Sequence, residues 1–252
     1  MILVFGGTTE GKLVCTALAG TGYSFWYSSK TPIEITLPAN GQYRYGAFTP
    51  AVLKDFCTEH HIRLIIHAGH PFAAELHNTI AQVSRQMSIP VIRFERQYAP
   101  KQQHPLLRYV NSYDEALVQL EAAGYEPVLS LTGVQTIARL QTYWQSKKMF
   151  FRILPRDSSI AMAREAGFPE ENLLLSFPGT TVEAEREVIR TTGARAIITK
   201  ESGESGFLSV KTAAAIAAGV PLFIIARPAL PVHFLLLSNE TTLLEQVKII
   251  YA

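Results

Sequence analysis

Three glycines and two threonines fall within the six residues Gly6-Gly7-Thr8-Thr9-Glu10-Gly11, directly after the apolar run 2–5 and at the start of a helical pattern. Glycine lets a backbone turn tightly and approach a phosphate closely. The first amides of a helix and its dipole favour negative charge. The chemistry on offer is nucleotide binding through the phosphates, with a tight turn that holds no ligand as the bland alternative. Gly6 to Lys12 matches the opening of a P-loop, but Leu13 stands where an NTPase needs Ser or Thr for magnesium. The glycines are also shifted from the usual dinucleotide spacing, so the loop is a looser relative of it. At the end of the second apolar run the chain reads Ser28-Ser29-Lys30-Thr31, with no acid to hold ribose hydroxyls. Hydroxyls and a lysine suit a 2′-phosphate, which favours NADPH over NADH. Gly6, Gly7, Thr8, Thr9, Glu10, Gly11, Ser28, Ser29 and Lys30 are the expected cofactor-binding residues.

Other junctions between an apolar run and a helix carry polar groups. His67-Ala68-Gly69-His70-Pro71-Phe72-Ala73 offers imidazoles for carboxylate contact, proton donation or metal. His77 is the third histidine in reach, but no carboxylate is well placed, so no metal site is expected. His70 before Pro71 also suits a helix start. Thr132-Gly133 follows another run, and Thr199-Lys200-Glu201-Ser202-Gly203-Glu204 suits anion or ribose contacts, with a solvated turn as the alternative. Arg227 could pair with a substrate carboxylate. Tyr143-x-x-x-Lys147 matches the acid–base pair of short-chain dehydrogenases, yet it falls late in its helix and just before the next strand. There the lysine fits better as a basic helix terminus.

The elements that must position these groups are legible as alternation. Apolar runs at 2–5, 25–28, 64–67, 91–94, 128–131, 150–154, 173–176, 196–199 and 222–226 read as strands. Most are continuous rather than alternating, as in parallel sheets covered on both faces. Helical patterns lie at 12–19, 50–60, 73–87, 113–123, 135–146, 158–166, 181–192 and 210–218, several stopped by glycine. This β-α rhythm predicts an α/β protein of two doubly wound, Rossmann-like parallel-sheet lobes facing a cleft. The polar, proline-containing stretch 95–105 reads as a linker between residues 1–98, which carry the dinucleotide loop, and residues 99–252, which contribute to the substrate cleft. About four or five strands are expected in the first lobe and five in the second. The amphipathic tail 239–252 is expected to pack on the second lobe.

With 48% hydrophobic and 17% charged residues the 252-residue chain can bury a core and is not a disordered protein. A net charge of +2 with no basic stripe argues against nucleic acid as partner. Cys15 and Cys57 stand at no metal-ligand spacing and read as buried free thiols of a reduced compartment. No secretory signal pattern and no apolar run of about 18 residues occurs, so the expectation is a cytoplasmic protein without a membrane partner.

Four stretches, in order, resemble the precorrin-6A reductase family of corrin-ring biosynthesis, in its metal-free or cobalt branch. They are Ile2–Gly11; His70-Pro71-Phe72-Ala73 with the strand Pro90–Arg96 after it; Ser176-Phe177-Pro178-Gly179; and Thr199-Lys200-Glu201-Ser202-Gly203, followed by Lys211, Val220-Pro221 and Arg227-Pro228. The chain departs from the family pattern at His67 (usually Asp), Gly69 (Thr), Val134 (Arg or another polar residue), Glu201 (Asn) and Glu204 (Gly). The resemblance implies hydride transfer from a reduced nicotinamide to one carbon of a macrocycle double bond, with a proton added to its neighbour, in cobalamin biosynthesis. It implies a tetrapyrrole rich in carboxylates as substrate, and leaves other corrin-pathway enzymes as partners. His70 is then the candidate proton donor. The substrate-binding set is His67, His70, Thr132, Lys200, Ser202, Gly203 and Arg227. Another reductase or epimerase of short-chain type, and a non-catalytic nucleotide-binding protein, remain the alternatives.

Overall fold

A computed structural model describes residues 1–95, 98 and 100–251, apart from the side chain of Ser205. Of the expected linker, Arg96, Gln97 and Ala99 lie outside the described residues. The chain runs β1 (Ile2–Phe5), α1 (Thr9–Ala19), β2 (Phe25–Ser29), β3 (Gly41–Tyr45), α2 (Pro50–Glu59), β4 (Leu64–His67), α3 (Ala74–Met87) and β5 (Val91–Phe94). It continues with β6 (Leu107–Val110), α4 (Tyr113–Ala122), β7 (Val128–Ser130), α5 (Gln141–Trp144), β8 (Met149–Ile153), α6 (Asp157–Glu165), β9 (Leu173–Leu175) and α7 (Val182–Thr192). It ends with β10 (Ala196–Lys200), α8 (Leu208–Ala218), β11 (Leu222–Ile225), β12 (Leu235–Leu237) and α9 (Glu240–Tyr251).

Two compact units result: Met1–Tyr98 with Pro228–Ala252, and Ala99–Arg227. In the first, six parallel strands lie in the order β3-β2-β1-β4-β5-β12, which is the Rossmann order. Odd and even residues of its central strands feed two cores. Ile2, Val4, Ile66 and Tyr27 pack with Val14 and Leu18 of α1 on one face. Leu3, Phe5 and Ile65 pack with Leu53 of α2 and Ile80 and Val83 of α3 on the other. Burial on both faces is the reason these strands read as continuous apolar runs. The second unit orders its parallel strands β9-β8-β7-β10-β11-β6. One face, with Leu129, Ile197, Leu222 and Ile224, packs on Ile189 of α7 and Ala214 and Ala215 of α8.

Several expectations are corrected. Residues 228–252 belong to the first unit: β12 pairs with β5, Leu235 opposite Ile92, and α9 buries Leu243 and Val247 completely against the core that β1 and α1 build. The tail's apolar stripe gave its amphipathicity but not its partner. The three strands missed in the sequence, β3, β6 and β12, all lie at sheet edges. An edge strand with an open face lacks the continuous apolar signature, as Gly41-Gln42-Tyr43-Arg44-Tyr45 does. The helix expected at 135–146 is two 3₁₀ turns and the four-residue α5. There the Thr136 hydroxyl donates to the Gly133 carbonyl (2.8 Å) and the Trp144 indole to the Ile137 carbonyl (2.8 Å). Both compete with a regular ladder. Helix α1 begins at Thr9 rather than at residue 12, because the Thr8 side chain caps it.

The two thiols are buried, and burial pushes Cys15 up to about 12 and Cys57 to about 11. Leu243→Ala should destabilise the first unit by about 3 kcal/mol. A lowered urea midpoint in the fluorescence of Trp26, which lies in that unit, would show it; an unmoved midpoint would place the tail elsewhere.

Candidate active site

The first sheet runs outward in both directions from β1 and β4, so the crevice of its topological switch point opens beyond their carboxyl ends. Two loops meet there. The Ala68 N–H donates to the Phe5 carbonyl (2.8 Å), and the Thr8 hydroxyl donates to the Ala68 carbonyl (2.6 Å) while accepting the Gly11 N–H (3.1 Å). Thr8 therefore caps α1 and ties the glycine loop to the histidine loop. The fully buried Tyr27 of β2 lies under the glycines. Its hydroxyl accepts the Gly7 N–H at 2.8 Å, and a Cβ on Gly6 would sit 2.1 Å from its ring. A Cβ on Gly11 would meet the same hydroxyl at 2.7 Å and the Gly6 backbone at 2.8 Å. Gly7 has φ +87°, a left-handed value that favours glycine. The cradle fits a phosphate at the helix start, where Thr8 and Thr9 head α1 and the first amides have no helical carbonyl to bond. Glu10 also lies in that first turn.

At the end of β2 the two serines are buried and engaged. Ser29 donates to the Thr31 carbonyl (2.7 Å) and shares a hydrogen bond with the Tyr43 hydroxyl (2.8 Å). Ser28 accepts from Arg44 (2.9 Å), which also donates to the Tyr45 carbonyl (3.0 Å) and stacks on Phe48. Nothing in the sequence pattern singled out Arg44. It sits on the missed edge strand β3, beside the end of β2, and no carboxylate pairs with it among the described residues. Lys30, which follows Ser29 at the end of β2, is exposed.

The histidine loop divides its expected residues. His70 is exposed, and its Nδ1 accepts the Phe72 N–H at 3.1 Å, so the neutral ring carries its proton on Nε2. His67 is fully buried, with Nδ1 accepting the Gly69 N–H (3.3 Å). It lies buried beneath the loop, where it supports the turn from inside. Its ring meets that of His77 edge-on at 4.9 Å. Arg93, also buried, donates to the carbonyls of His67 (3.2 Å) and Gly69 (2.8 Å) and pairs with Glu95 at 2.9 Å. Burial, with Arg93 and then His77 adding to it, holds His67 well below the usual histidine range. Burial, Arg93 and His70 hold His77 down to about 4. Among the described residues no group of three or more His, Cys, Asp or Glu side chains could hold a metal.

In the second unit, strands again run outward from β7 and β10; Thr132 follows β7, Lys200 ends β10 with Ser202 and Gly203 after it, and Arg227 follows β11. The Thr132 hydroxyl is buried between those of Ser130 (2.7 Å) and Thr136 (2.5 Å), so it too supports its loop. Lys200 is half-buried, and burial holds its ammonium down to about 8. Ser202 and Gly203 follow in a tight turn: Ser202 N–H donates to the Lys200 carbonyl (2.7 Å), and Gly203 has φ +66°. The Arg227 N–H donates to the Glu201 carboxylate (3.1 Å), which lies 3.6 Å from its Nε. Tyr143 is fully buried and its hydroxyl donates to the Tyr125 carbonyl, with Lys147 over its ring. A short-chain acid–base pair is thus ruled out at this position.

A family model described as precorrin-6x reductase CbiJ/CobK matches residues 1–248. The chain belongs to the precorrin-6x reductase family. The cobalt-precorrin-6A reductase of Synechocystis is 29% identical over 90% of this chain and 88% of that protein. The precorrin-6A reductase of Rhodococcus erythropolis is 30% identical over 91% and 90%. The solved structure of CobK precorrin-6A reductase shares the fold, with a TM-score of 0.76 over 99% of this chain and 96% of that one at 23% identity. No helix among the described residues is long and apolar enough to cross a membrane.

The histidine pair makes a prediction for this family member. Between pH 6.5 and about 4 the unfolded chain binds a proton at His77 that the folded chain refuses. For this group stability is full above 6.5 and falls as pH drops through that window, by at most about 1.4 kcal/mol per pH unit. His77→Phe should flatten the dependence of the urea midpoint on pH. Parallel profiles for the variant and the parent would contradict it.

Proposed function

We propose that this chain is an NAD(P)H-dependent reductase that saturates one double bond of the precorrin-6A macrocycle, or of its cobalt form, in cobalamin biosynthesis. The observation that carries the reading is the glycine loop at the β1/β4 switch point, shaped over Tyr27 and capped by Thr8 in a chain matched by the reductase family along nearly its whole length. When bound, the reduced nicotinamide supplies a hydride. The residues of this chain bind, orient and protonate. Gly6, Gly7, Thr8, Thr9 and Gly11 form the pyrophosphate cradle, with Glu10 at its edge. His70, whose neutral ring carries its proton on Nε2, delivers that proton to the carbon next to the one reduced, then recovers a proton from solvent. Lys200, with Ser202 and Gly203, receives a carboxylate of the macrocycle, and Arg227 is oriented for another by Glu201.

The finer choice is NADPH. Arg44 and Lys30 are the cations at the ends of β2 and β3, and no acid stands at the end of β2 to hold free ribose hydroxyls. The buried Ser28 and Ser29 hold Arg44 and the turn that carries Lys30 rather than the phosphate itself. A cytoplasmic setting is the one in which both cysteines stay reduced.

Titration with NADPH and NADH, followed by energy transfer from tryptophan to the nicotinamide, tests the cofactor. Arg44→Ala should weaken NADPH about tenfold, or about 1.4 kcal/mol, and leave NADH unchanged; equal losses for both would remove Arg44 from the 2′-phosphate. Gly6→Ala should abolish binding of either. Turnover with precorrin-6A and its cobalt form as alternative substrates tests the reaction. His70→Ala should lower kcat about a hundredfold, and an unchanged kcat would leave protonation to water. Binding of NADPH without oxidation by either macrocycle would make the protein a nucleotide-binding module.

A further inference from the structure

Behind the loops of the second unit lies a buried charge cluster with no place in the reaction so far. Arg152 of β8 is 6% exposed, Glu185 of α7 1% and Lys211 of α8 6%. Arg152 Nη1 donates to Glu185 Oε1 at 2.7 Å, and the same oxygen accepts the Gly179 N–H at 2.7 Å. Lys211 Nζ donates to the Gly206 carbonyl at 2.6 Å. Glu185 is thus paired with Arg152, while Lys211, a second buried cation close enough to feel both charges, is tied to a carbonyl; burying such charges costs stability. What the cluster does is grip two strand-end loops from inside. Gly179 lies in the loop after β9, and a Cβ there would come 2.9 Å from Glu185. Gly206 closes the turn after β10, and a Cβ there would come 2.0 Å from the Ser202 hydroxyl. That turn is wound on itself, Gly206 and Leu208 N–H groups both donating to the Gly203 carbonyl (3.1 and 3.2 Å). Its Phe207 is a non-glycine residue at φ +54°. A turn with that backbone needs an outside tie to hold it, and the Lys211–Gly206 bond supplies one. Burial, Arg152 and Lys200 lower the Lys211 ammonium to about 8 while Glu185 raises it.

We infer that Lys211 is a positioning residue: backed by Arg152 and Glu185, it fixes the Lys200-to-Gly206 turn so that Lys200, Ser202 and Gly203 are preset for a substrate carboxylate, without touching that carboxylate itself. The inference rests on the reductase reading for the identity of the anion and on the geometry alone for the turn. The test compares the full-length protein with K211M and K211R by hydrogen exchange and steady-state kinetics. In K211M, protection of the Gly206, Phe207 and Leu208 amides falls at least tenfold, while those of Gly11 and Ala68 in the first unit keep theirs. KM for the macrocycle rises about tenfold, kcat and NADPH affinity stay within twofold, and K211R, which keeps a cationic donor, recovers most of the KM. Lys211→Gln, which keeps a neutral donor, replaces K211M should that variant fail to fold, and the same changes at about half size are expected. Unchanged exchange in the turn overturns the inference whatever the activity. Loosened exchange with KM unmoved makes Lys211 merely structural and overturns it too. A wild-type protein that binds no cofactor and turns over neither macrocycle sinks the reductase reading instead, and the exchange result then decides the positioning role alone.

Discussion

Strand β1 is buried on both faces and paired along both edges, Val4 standing between Tyr27 of β2 and Ile66 of β4. The chemistry of the first unit hangs from its carboxyl end. The fixed register sets Tyr27 under the glycine loop, so the hydroxyl reaches the Gly7 amide and the ring leaves no room for a side chain at position 6. It also sets the end of β4 beside the end of β1, so Thr8 can bond across to Ala68. A cradle built this way is preorganised by core packing rather than by its ligand, and little ordering remains to oppose binding.

Both units place their strands in one common order, but they complete it from opposite ends of the chain. In the first, the sixth position is filled by β12, the last strand; in the second, by β6, which comes before the rest. A short parallel strand at an edge needs only one neighbour, and either terminus of a unit can deliver it. For the same reason the sequence could not reveal it. Leu235-Leu236-Leu237 is apolar but largely exposed, and Leu107–Val110 is half-exposed along its middle. Periodicity reports burial, and a segment that is not buried on both faces does not report its strand. The continuous runs that form β1, β4, β5, β10 and β11 are legible because each is sandwiched between helices or their side chains.

The candidate site was legible where backbone conformation constrains residue type and opaque where side chains reach across elements. Gly6, Gly7 and Gly11, and the histidine turn before Pro71, announce themselves locally. Arg44 does not. It acts at the end of β2 from a neighbouring strand sixteen residues on, and only the pairing of Ser28 with Arg44 in the sheet brings them together. His67 and Thr132 were legible as polar residues at strand ends, but a sequence does not say on which side of the loop a side chain lies. Both are buried and bonded within their own loops.

That buried set shows a division of labour in each unit. Arg93 gathers two carbonyls of the histidine turn and pairs with Glu95; in the second unit Glu185, paired with Arg152, holds the Gly179 loop, and Lys211 holds the Gly206 turn. A guanidinium has several donors in a rigid fork and can fix a carbonyl-rich turn that no apolar residue could satisfy. In the first cluster burial and Arg93 keep His67 and His77 neutral. In the second, burial, with Arg152 and Lys200 adding to it, lowers the Lys211 ammonium against the pull of Glu185. In both, the loop that carries the residue proposed to meet the ligand is held from inside by residues that are not proposed to touch it.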